Sequence, residues 1–452
     1  MMAVQTQILP PKPNTTFASL RNRNFRTYFA AQIGSNIGSW IQITAENWLV
    51  LQLTPAHASP ASGGGLGRGL ALGITNALQF GPLVFFGLYG GVIADRCDRR
   101  RLLVVTQSAL ALLAAAIGVL VAARLIQLWM IWLAALLLGL IMSIDRPALL
   151  SFVKDLVGES DLPNAVALNN AVISSGRMIG PVTGGLLIAC FGAAPSFFIN
   201  AVSFGFVILV LLILDVGRLH VSRPADKKPG QVREGLSYIR QDPVLRLTVI
   251  AMTVIFIAAY NFQVMVPLMA FRMLGGSSEL LGIVMSSLGL GAVTGSLIIA
   301  SWIKPGLLMI AICCGLLSLI HIWLSLPLGI YFSVAGMFLL GVSCGFLNVT
   351  ITSTLQVRAH DDVRGRVMST YSIGILGSAL VGAPLAGTLA DAVGVSDSFL
   401  IIAAICVGTA LAITSAWIKA QNRAVVQSAA TASLDIGVKS GTLQSLTSGR
   451  DQ

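Results

Sequence analysis

Long apolar stretches, separated by glycine, proline or charged residues, recur along almost the whole chain. About 20 apolar residues are enough for a helix to cross the hydrocarbon core of a bilayer, and a helix satisfies its own backbone hydrogen bonds there. The chain is therefore predicted to be an all-α membrane protein. Twelve transmembrane helices, called spans 1 to 12 below, are predicted at 28–53, 69–93, 102–123, 127–147, 164–189, 195–215, 247–271, 281–303, 305–324, 329–352, 367–390 and 398–418.

The composition supports this interpretation. Of the 452 residues, 55% are hydrophobic and 10% are charged. Soluble globular domains have about 25% charged residues, so that class is excluded. The sequence contains no nucleotide-binding, zinc or cofactor pattern, and we expect neither a cofactor nor a metal.

The net charge of +11 is spread unevenly along the chain. With the N-terminus in the cytoplasm, 25 of the 29 Lys and Arg residues fall on the cytoplasmic side. Lys and Arg accumulate on that side of membrane proteins, so both termini are predicted to be cytoplasmic and the membrane to be the cell inner membrane. The asymmetry explains the basic charge without a nucleic-acid partner. The residues before span 1 show no cleavable signal peptide.

The chain divides into two similar halves. An offset of 202 residues aligns Gly139 with Gly341, Gly185 with Gly387 and other glycines of spans 4 and 5 with those of spans 10 and 11. Such a duplication is typical of secondary transporters, with the binding site between the halves. The predicted units are an N-terminal segment (1–27), a six-helix bundle (28–215), a linker with an amphipathic helix (216–246), a second six-helix bundle (247–418) and a disordered cytoplasmic tail (419–452).

Polar side chains are concentrated in spans 1, 5, 7 and 10. Such groups are costly against lipid, so these spans are predicted to line a water-filled cavity. Tyr260, Phe262 and Met265 lie near the polar residues of span 7 in the sequence. Together with the polar groups and the cation of Arg177, they favour a polar or anionic ligand with aromatic parts. The candidate substrate residues are Gln32, Asn36, Arg177, Asn261, Gln263 and Asn348.

Glu46 is the one acidic residue, and Arg177 the one basic residue, that lies well inside a predicted span. An unpaired charge at that depth costs several kcal/mol, so a function or mutual pairing is expected. In one hypothesis Glu46 carries a coupling proton, and Arg177 modulates its pKa or meets an anionic substrate. In the alternative, the two form a fixed structural ion pair.

The loop after span 2 reads Gly91-Val-Ile-Ala-Asp95-Arg96-Cys-Asp98-Arg99-Arg100-Arg101-Leu-Leu103. It resembles the loop signature of the major facilitator superfamily, with Asp98 in place of the usual Gly. That variant is similar to the subgroup of the enterobactin exporter, macrolide efflux proteins and transmembrane secretion effectors. The resemblance implies a gating latch of Asp95, Arg96, Arg99, Arg100 and Asp145, in which Asp95 caps a neighbouring helix and Arg99 pairs with Asp145. The alternative is a plain positive-inside anchor.

Span 5 contains Gly176-Arg-Met-Ile-Gly180-Pro181-Val-Thr-Gly184-Gly185, which resembles the exporter signature of the same superfamily. The resemblance implies outward transport, although Ala167 replaces an earlier Gly of the full pattern. Glycines allow close helix approach, and Pro181 removes a backbone donor so that the helix can bend. An ordinary packing seam of small residues is compatible with the same pattern.

The resulting prediction is a proton-coupled secondary exporter of an amphipathic small molecule, with a siderophore favoured and macrolide or multidrug efflux as the alternative. A uniporter or importer is also open. A remote alternative is an intramembrane serine protease, because Gly341-Val-Ser343-Cys-Gly345 matches Gly-x-Ser-x-Gly and His321 is near in sequence. His321 is more simply a packing residue. The expected partners are the substrate, protons and the lipid bilayer, with no nucleic acid, and a monomer is expected.

Overall fold

The computed structural model describes residues 17–55, 66–220, 237–300, 305–419 and 421. All regular elements in these ranges are helical, and the main ones are α1 (Arg23–Leu53), α2 (Arg68–Arg96), α3 (Arg99–Ala122), α4 (Leu128–Phe191), α5 (Ala194–Ile213), α6 (Pro243–Ala259), α7 (Phe262–Arg272), α8 (Ser278–Ala300), α9 (Leu307–Ser325), α10 (Ile330–Arg358), α11 (Asp361–Gly377), α12 (Ala383–Val393) and α13 (Val395–Lys419). A π-helical turn, Ser378–Gly382, joins α11 to α12.

Within these ranges, ten helical stretches are long and apolar enough to cross a membrane. One of them is the 64-residue α4, which is kinked where Gly158 leaves the helical conformation with φ of +74°. The 31-residue α1 is not among the ten because polar side chains lower its hydropathy. The prediction of an all-helical membrane protein is confirmed, whereas the number twelve and the side of the termini stay predictions.

The structure departs from the predicted spans most clearly at three places. The predicted loop between spans 4 and 5 is helical apart from Gly158, because a charged segment that cannot lie in lipid can still extend a helix into water. Span 7 is broken at Tyr260 and Asn261 into α6 and α7. Span 11 contains the π-helical turn, where Pro384 offers no N–H to the carbonyl four residues earlier. Most of the predicted linker, the first part of its amphipathic helix and nearly all of the tail lie outside the described residues.

The two halves, α1–α5 and α6–α13, meet chiefly along two junctions. The second part of α4 (159–191) packs against α8, which we call the α4–α8 junction, and α2 packs against α12, the α2–α12 junction. The duplication seen in the sequence recurs in these contacts. Gly139 faces a backbone carbonyl of α2, and Gly341 likewise faces one of α8.

The helices alternate in direction, so the bundle has two ends. The Arg68 end contains the C-terminus of α1 and the N-terminus of α2, together with the C-termini of α7 and α12. The Arg99 end contains the loop between α2 and α3 and the start of α1, where a buried cluster of Phe25, Tyr28 and Phe152 closes the first half.

Candidate substrate and proton sites

Arg177 lies on α4 between the two halves. Its guanidinium Cζ is 5.2 Å from the centre of the Trp40 ring of α1. On the other side, a Cβ atom on Gly289 of α8 would come within 2.7 Å of the Arg177 carbonyl oxygen. Although helices of both halves surround it, the Arg177 side chain is solvent-exposed. Arg177 therefore lies beside both halves without being enclosed in a packed core.

The glycines around Arg177 set this position. A Cβ atom on Gly176 would lie 3.0 Å from both the Asn36 carbonyl and the Trp40 ring, and one on Gly184 would lie 3.1 Å from the Ile41 carbonyl. Gly180 likewise contacts Trp40, so three glycines of the predicted exporter motif lie against α1. Close helix approach requires such small residues, and it holds the Trp40 ring beside Arg177.

The same motif contacts the second half through its other face. A Cβ atom on Gly185 would meet the Ser278 carbonyl at 2.5 Å, and one on Gly282 would meet the Pro181 carbonyl at the same distance. The Val182 N–H, next to Pro181, donates to the Ser286 hydroxyl at 3.0 Å. The motif is thus a seam for α1 on one side and for α8 on the other.

An aromatic cluster stands in the second half, made of Phe256, Tyr260, Phe262 and Tyr371. Ring centres lie 4.5 Å apart for Phe256 and Tyr260, 5.3 Å for Tyr260 and Phe262, and 6.0 Å for Phe256 and Tyr371. Tyr260 sits at the break between α6 and α7 and donates to the Cys344 carbonyl at 2.9 Å. It is near enough to Arg177 for an electrostatic interaction.

The predicted substrate residues do not all gather at this place. Asn36 adjoins Gly176 beside Arg177, and Asn348 accepts a hydrogen bond from Tyr371 of the aromatic cluster at 2.9 Å. Gln32 is buried and donates to the Tyr28 hydroxyl at 2.8 Å. Asn261 is buried too, and its amide donates to the Ile257 carbonyl at 2.6 Å. Gln263, at the start of α7, is half-buried.

Glu46 lies elsewhere, inside the first half. It is 8% exposed and lines a narrow pocket with room for about one water molecule. Among the described residues, no side chain hydrogen-bonds or pairs with its carboxyl group. The other lining residues come from α1, α3, α4 and α5: Gln42, Leu113, Ile117, Ile131, Ala134, Leu138 and Phe197.

The ion pair between Glu46 and Arg177, one of the two alternatives for these residues, is not formed in the structure. Glu46 follows Trp40 by six residues, which turns it about 120° around the axis of α1 and away from Arg177. The neighbouring Gln42 accepts a hydrogen bond from Asn200 of α5 at 2.7 Å, which anchors this face of α1 inside the first half. The structural-pair alternative is therefore wrong for this conformation.

The predicted gating loop differs from the structure in one pairing. Arg99 pairs with Asp155 at 2.7 Å, not with Asp145. Asp145 instead accepts hydrogen bonds from Thr106 at 2.6 Å and Gln107 at 3.0 Å. Asp155 lies ten residues further along α4, about 15 Å closer to the Arg99 end, where the loop is.

The other loop residues cap helices or face solvent. Arg100 donates to the Leu211 and Leu212 carbonyls at the C-terminus of α5, the latter at 2.7 Å. A cation at the C-terminus of a helix is favourable because it meets the negative end of the helix dipole. Asp98 caps α3 by accepting from the Arg101 N–H at 3.0 Å. Asp95 is half-buried at the end of α2, and Arg96 is exposed.

The positions of Ser343 and His321 contradict the serine protease alternative. Ser343 is buried, and its flanking glycines pack on α8, where a Cβ atom on Gly345 would lie 2.5 Å from the Ala292 carbonyl. His321 is buried in α9, with Nδ1 2.7 Å from the Leu317 carbonyl.

In the described part of the chain, no group of three or more His, Cys, Asp or Glu residues could hold a metal.

Three residues of the site were missed by the sequence analysis, namely Trp40, Phe256 and Tyr371. Trp40 lies one helical turn after Asn36 and so on the same face of span 1, and the helical period could therefore have indicated it. Tyr371 falls in span 11, and its hydroxyl meets Asn348 only through the packing of α11 on α10. No local pattern in the sequence points to that contact.

Comparison with known proteins decides the family. The profile of the transmembrane secretion effectors matches residues 14–440. The chain belongs to this family of the major facilitator superfamily. It is similar to an uncharacterized MFS-type transporter, YfiS, of Bacillus subtilis (26% identity, 84% of this chain and 89% of the relative). The staphyloferrin A transporter of Staphylococcus aureus is 25% identical over 84% of this chain and 93% of its own.

The enterobactin exporter EntS of Escherichia coli is 28% identical over 68% of this chain and 74% of its own. Among solved structures, a bacterial homologue of the human lysosomal transporter Spinster, inward-facing and unoccupied, aligns with a TM-score of 0.65 at 11% identity, over 88% of this chain and 98% of that one. As a member of the family, this chain is a multi-pass membrane transporter of small molecules and not an enzyme. Both the predicted superfamily and the predicted subgroup are confirmed.

Proposed function

We propose that this transporter exports an amphipathic anion with aromatic parts, most simply a siderophore, in exchange for protons. The observation that carries the proposal is Arg177, an exposed residue between the two halves whose guanidinium lies against the Trp40 ring. A cation is costly at this depth and is retained where it meets a charged ligand. Two relatives are named as siderophore transporters, one for staphyloferrin A and one for enterobactin.

The chemistry around Arg177 suits such a ligand. A guanidinium forms paired, charge-assisted hydrogen bonds to carboxylate or catecholate oxygens. Trp40 on one side and the aromatic cluster on the other offer ring faces on which an aromatic part of the substrate can stack. Asn36 and Asn348 lie at the edges of this space, where the Asn36 backbone carbonyl faces Gly176, the Asn36 amide donates to the Gln32 carbonyl at 3.0 Å, and Asn348 accepts from Tyr371. We assign these residues, with Arg177, to the substrate site.

Glu46 is the proposed proton carrier. Its carboxyl group is buried in a pocket of the first half that is too small for the substrate but large enough for a water molecule. A carboxyl group without an ionic partner can be neutral or charged according to its surroundings, so movement of the surrounding helices changes its proton affinity. Proton and substrate then occupy separate places, joined by α1, which contributes both Glu46 and Trp40.

The membrane arrangement is part of the proposal. We assign twelve spans: α1 is one span, each of the two parts of α4 is one span, and the broken helices α6–α7 and α11–α12 each form one span. The protein is assigned to the inner membrane, with both termini on the cytoplasmic side, and to a functional monomer. The distribution of 25 of 29 basic residues supports this orientation. The Arg99 end then faces the cytoplasm, where the loop residues Asp95, Arg96, Arg99 and Arg100 form the gate.

Purified protein in liposomes tests the substrate assignment. Uptake of enterobactin, of staphyloferrin A and of a macrolide is measured under an imposed pH gradient. Arg177→Gln should lower siderophore transport at least tenfold, because the charge-assisted bonds are lost. Arg101→Gln, at a side chain that is 88% exposed, is the matched control and should transport normally. Macrolide transport that is unaffected by Arg177→Gln, with no siderophore transport in the wild type, would contradict the assignment.

The same liposomes test the proton carrier. Glu46→Gln should abolish accumulation driven by the pH gradient while leaving substrate exchange across the membrane, because a permanently neutral side chain cannot release a proton. Glu159→Gln is the control, since the Glu159 side chain is 84% exposed in a surface ion pair with Lys154. Full accumulation in the Glu46 variant would show that another group carries the proton.

A further inference from the structure

A charged cluster at the Arg68 end joins the two halves. The Asp391 carboxylate, at the end of α12, accepts hydrogen bonds from the backbone N–H groups of Gly69 at 3.0 Å and Leu70 at 2.8 Å. Arg272, at the end of α7, donates to the same carboxylate at 2.6 Å and to the Ala390 carbonyl at 2.8 Å. The Asp391 side chain is 1% exposed. This set is called the Asp391 cluster below.

The carboxylate supplies what α2 lacks in its own sequence. The N-cap position of α2 is Gly67, which has no side chain to accept the first free N–H groups. An N-cap side chain normally binds the N–H of the second or third helical residue, and these are Gly69 and Leu70 here. Asp391 therefore caps a helix of the other half, and the negative carboxylate also meets the positive end of the helix dipole.

The backbone is shaped for this contact. A Cβ atom on Gly67 would collide with the Asp391 carboxylate, and one on Gly69 would collide with the Gly387 backbone. Arg68, between these glycines, points to the other side, where it donates to the Leu51 and Thr54 carbonyls at 3.1 Å. Its guanidinium lies 4.5 Å from the centre of the Phe271 ring. The ends of α1, α2, α7 and α12 are thus tied together at one place.

We infer that the Asp391 cluster is the latch that closes the Arg68 end, so that the cavity opens at this end only when Asp391 leaves the N-terminus of α2. A buried carboxylate with three donors is satisfied in one arrangement of the halves and not in intermediate ones. Once the halves part, water at the end of the bundle can hydrate both the carboxylate and the free N–H groups, so the contact is reversible. The latch requires neither a particular substrate nor proton coupling.

Two measurements on the full chain in lipid nanodiscs test the latch. The first is hydrogen exchange of peptides covering Gly69 and Leu70. The second is the rate at which an impermeant maleimide reacts with Ser286→Cys, in a background in which the six native cysteines are replaced. Ser286 is 7% exposed and lies at the α4–α8 junction, so it reports separation of the halves away from Asp391.

Asp391→Asn should raise both rates about tenfold, as loss of one charge-assisted contact predicts. Arg272→Gln should act in the same direction while keeping the cap on α2, and it decides the question if the Asp391 variant does not fold. Asp397→Asn, at an exposed carboxylate of the same end, is the matched control and should change neither rate. Faster exchange at Gly69 and Leu70 with unchanged cysteine reactivity would reduce Asp391 to a local cap and overturn the latch. Unchanged rates in both variants would overturn it as well.

Discussion

The two junctions between the halves use the same glycine pattern but close in different ways. Gly185 at the α4–α8 junction and Gly387 at the α2–α12 junction are related by the offset of 202 residues, and each allows direct contact between helix backbones. At the first junction the polar contact is a serine hydroxyl accepting an N–H. At the second, a buried carboxylate binds two N–H groups and an arginine.

This difference shows how two junctions that arise from one duplicated unit can have different roles. Glycine contacts depend on shape and persist through small rotations of one helix on the other. A carboxylate with several donors is satisfied only at one separation and angle, so it favours two discrete states over a continuum. The repeated glycines therefore allow the close helix contacts at both junctions, and the charges at the Arg68 end make the α2–α12 junction different from the α4–α8 junction.

The largest expected effect comes from filling the shared seam. Gly387→Leu and Gly185→Leu should each abolish transport and lower the folded yield, because their side chains would occupy the space of the facing backbone. Gly408→Leu is the control, since no atom lies within 4 Å of a Cβ at that position of α13. Yield by size-exclusion chromatography and transport in liposomes are the measurements. Normal transport by either seam variant would show that the halves do not work in this close contact.

A smaller effect is expected from the hydroxyl at the α4–α8 junction. Ser286→Ala leaves the Val182 N–H without its partner and should lower the free energy of unfolding by about 1 kcal/mol. Ser287→Ala, which removes a bond to Val334 inside the second half, is the neighbouring control. Hydrogen exchange of the peptide that contains Val182 should become faster only in Ser286→Ala. Equal changes in both variants would mean that the hydroxyl contact does not couple the halves.

The contact between Arg68 of α2 and Phe271 of α7 should add a modest amount to the stability of the Arg68 end. A double-mutant cycle of Arg68→Gln and Phe271→Leu should give a coupling energy of about 0.5 kcal/mol, as for a partly exposed cation over an aromatic ring. Denaturation of the four proteins in the same detergent measures it. If the losses in free energy of unfolding of the two single variants simply add in the double variant, the Phe271 ring does not interact with Arg68.

The smallest effect is expected from an ion pair outside the junctions. Arg101 and Asp98 are 4.0 Å apart with side chains 88% and 58% exposed. Arg101→Gln should change stability by less than about 0.5 kcal/mol, because exposed pairs gain little. In Arg272→Gln, by contrast, the partner Asp391 is buried, and the loss should be clearly larger. Similar losses in the two variants would show that burial does not distinguish these pairs.

The sequence alone determined the class of this protein. Runs of apolar residues, the asymmetry of Lys and Arg, the glycine repeat and the loop motif are local or periodic features, so they predict helices, membrane insertion and family without knowledge of contacts. The packing role of His321 followed from the same kind of argument. Gln32 and Asn261 were assigned to the cavity because they are polar, yet each finds a partner within its own span.

Only the tertiary structure decided which charges meet. Arg99 pairs with Asp155 rather than Asp145 because the level at which helices face each other sets the partner, and periodicity does not give that level. Arg177 and Glu46 separate because a turn of about 120° along α1 sends the proposed substrate and proton sites to different faces. Asp391 lies more than 300 residues from Gly69 in sequence, and its contact exists only because α2 and α12 of the two halves pack closely through Gly69 and Gly387.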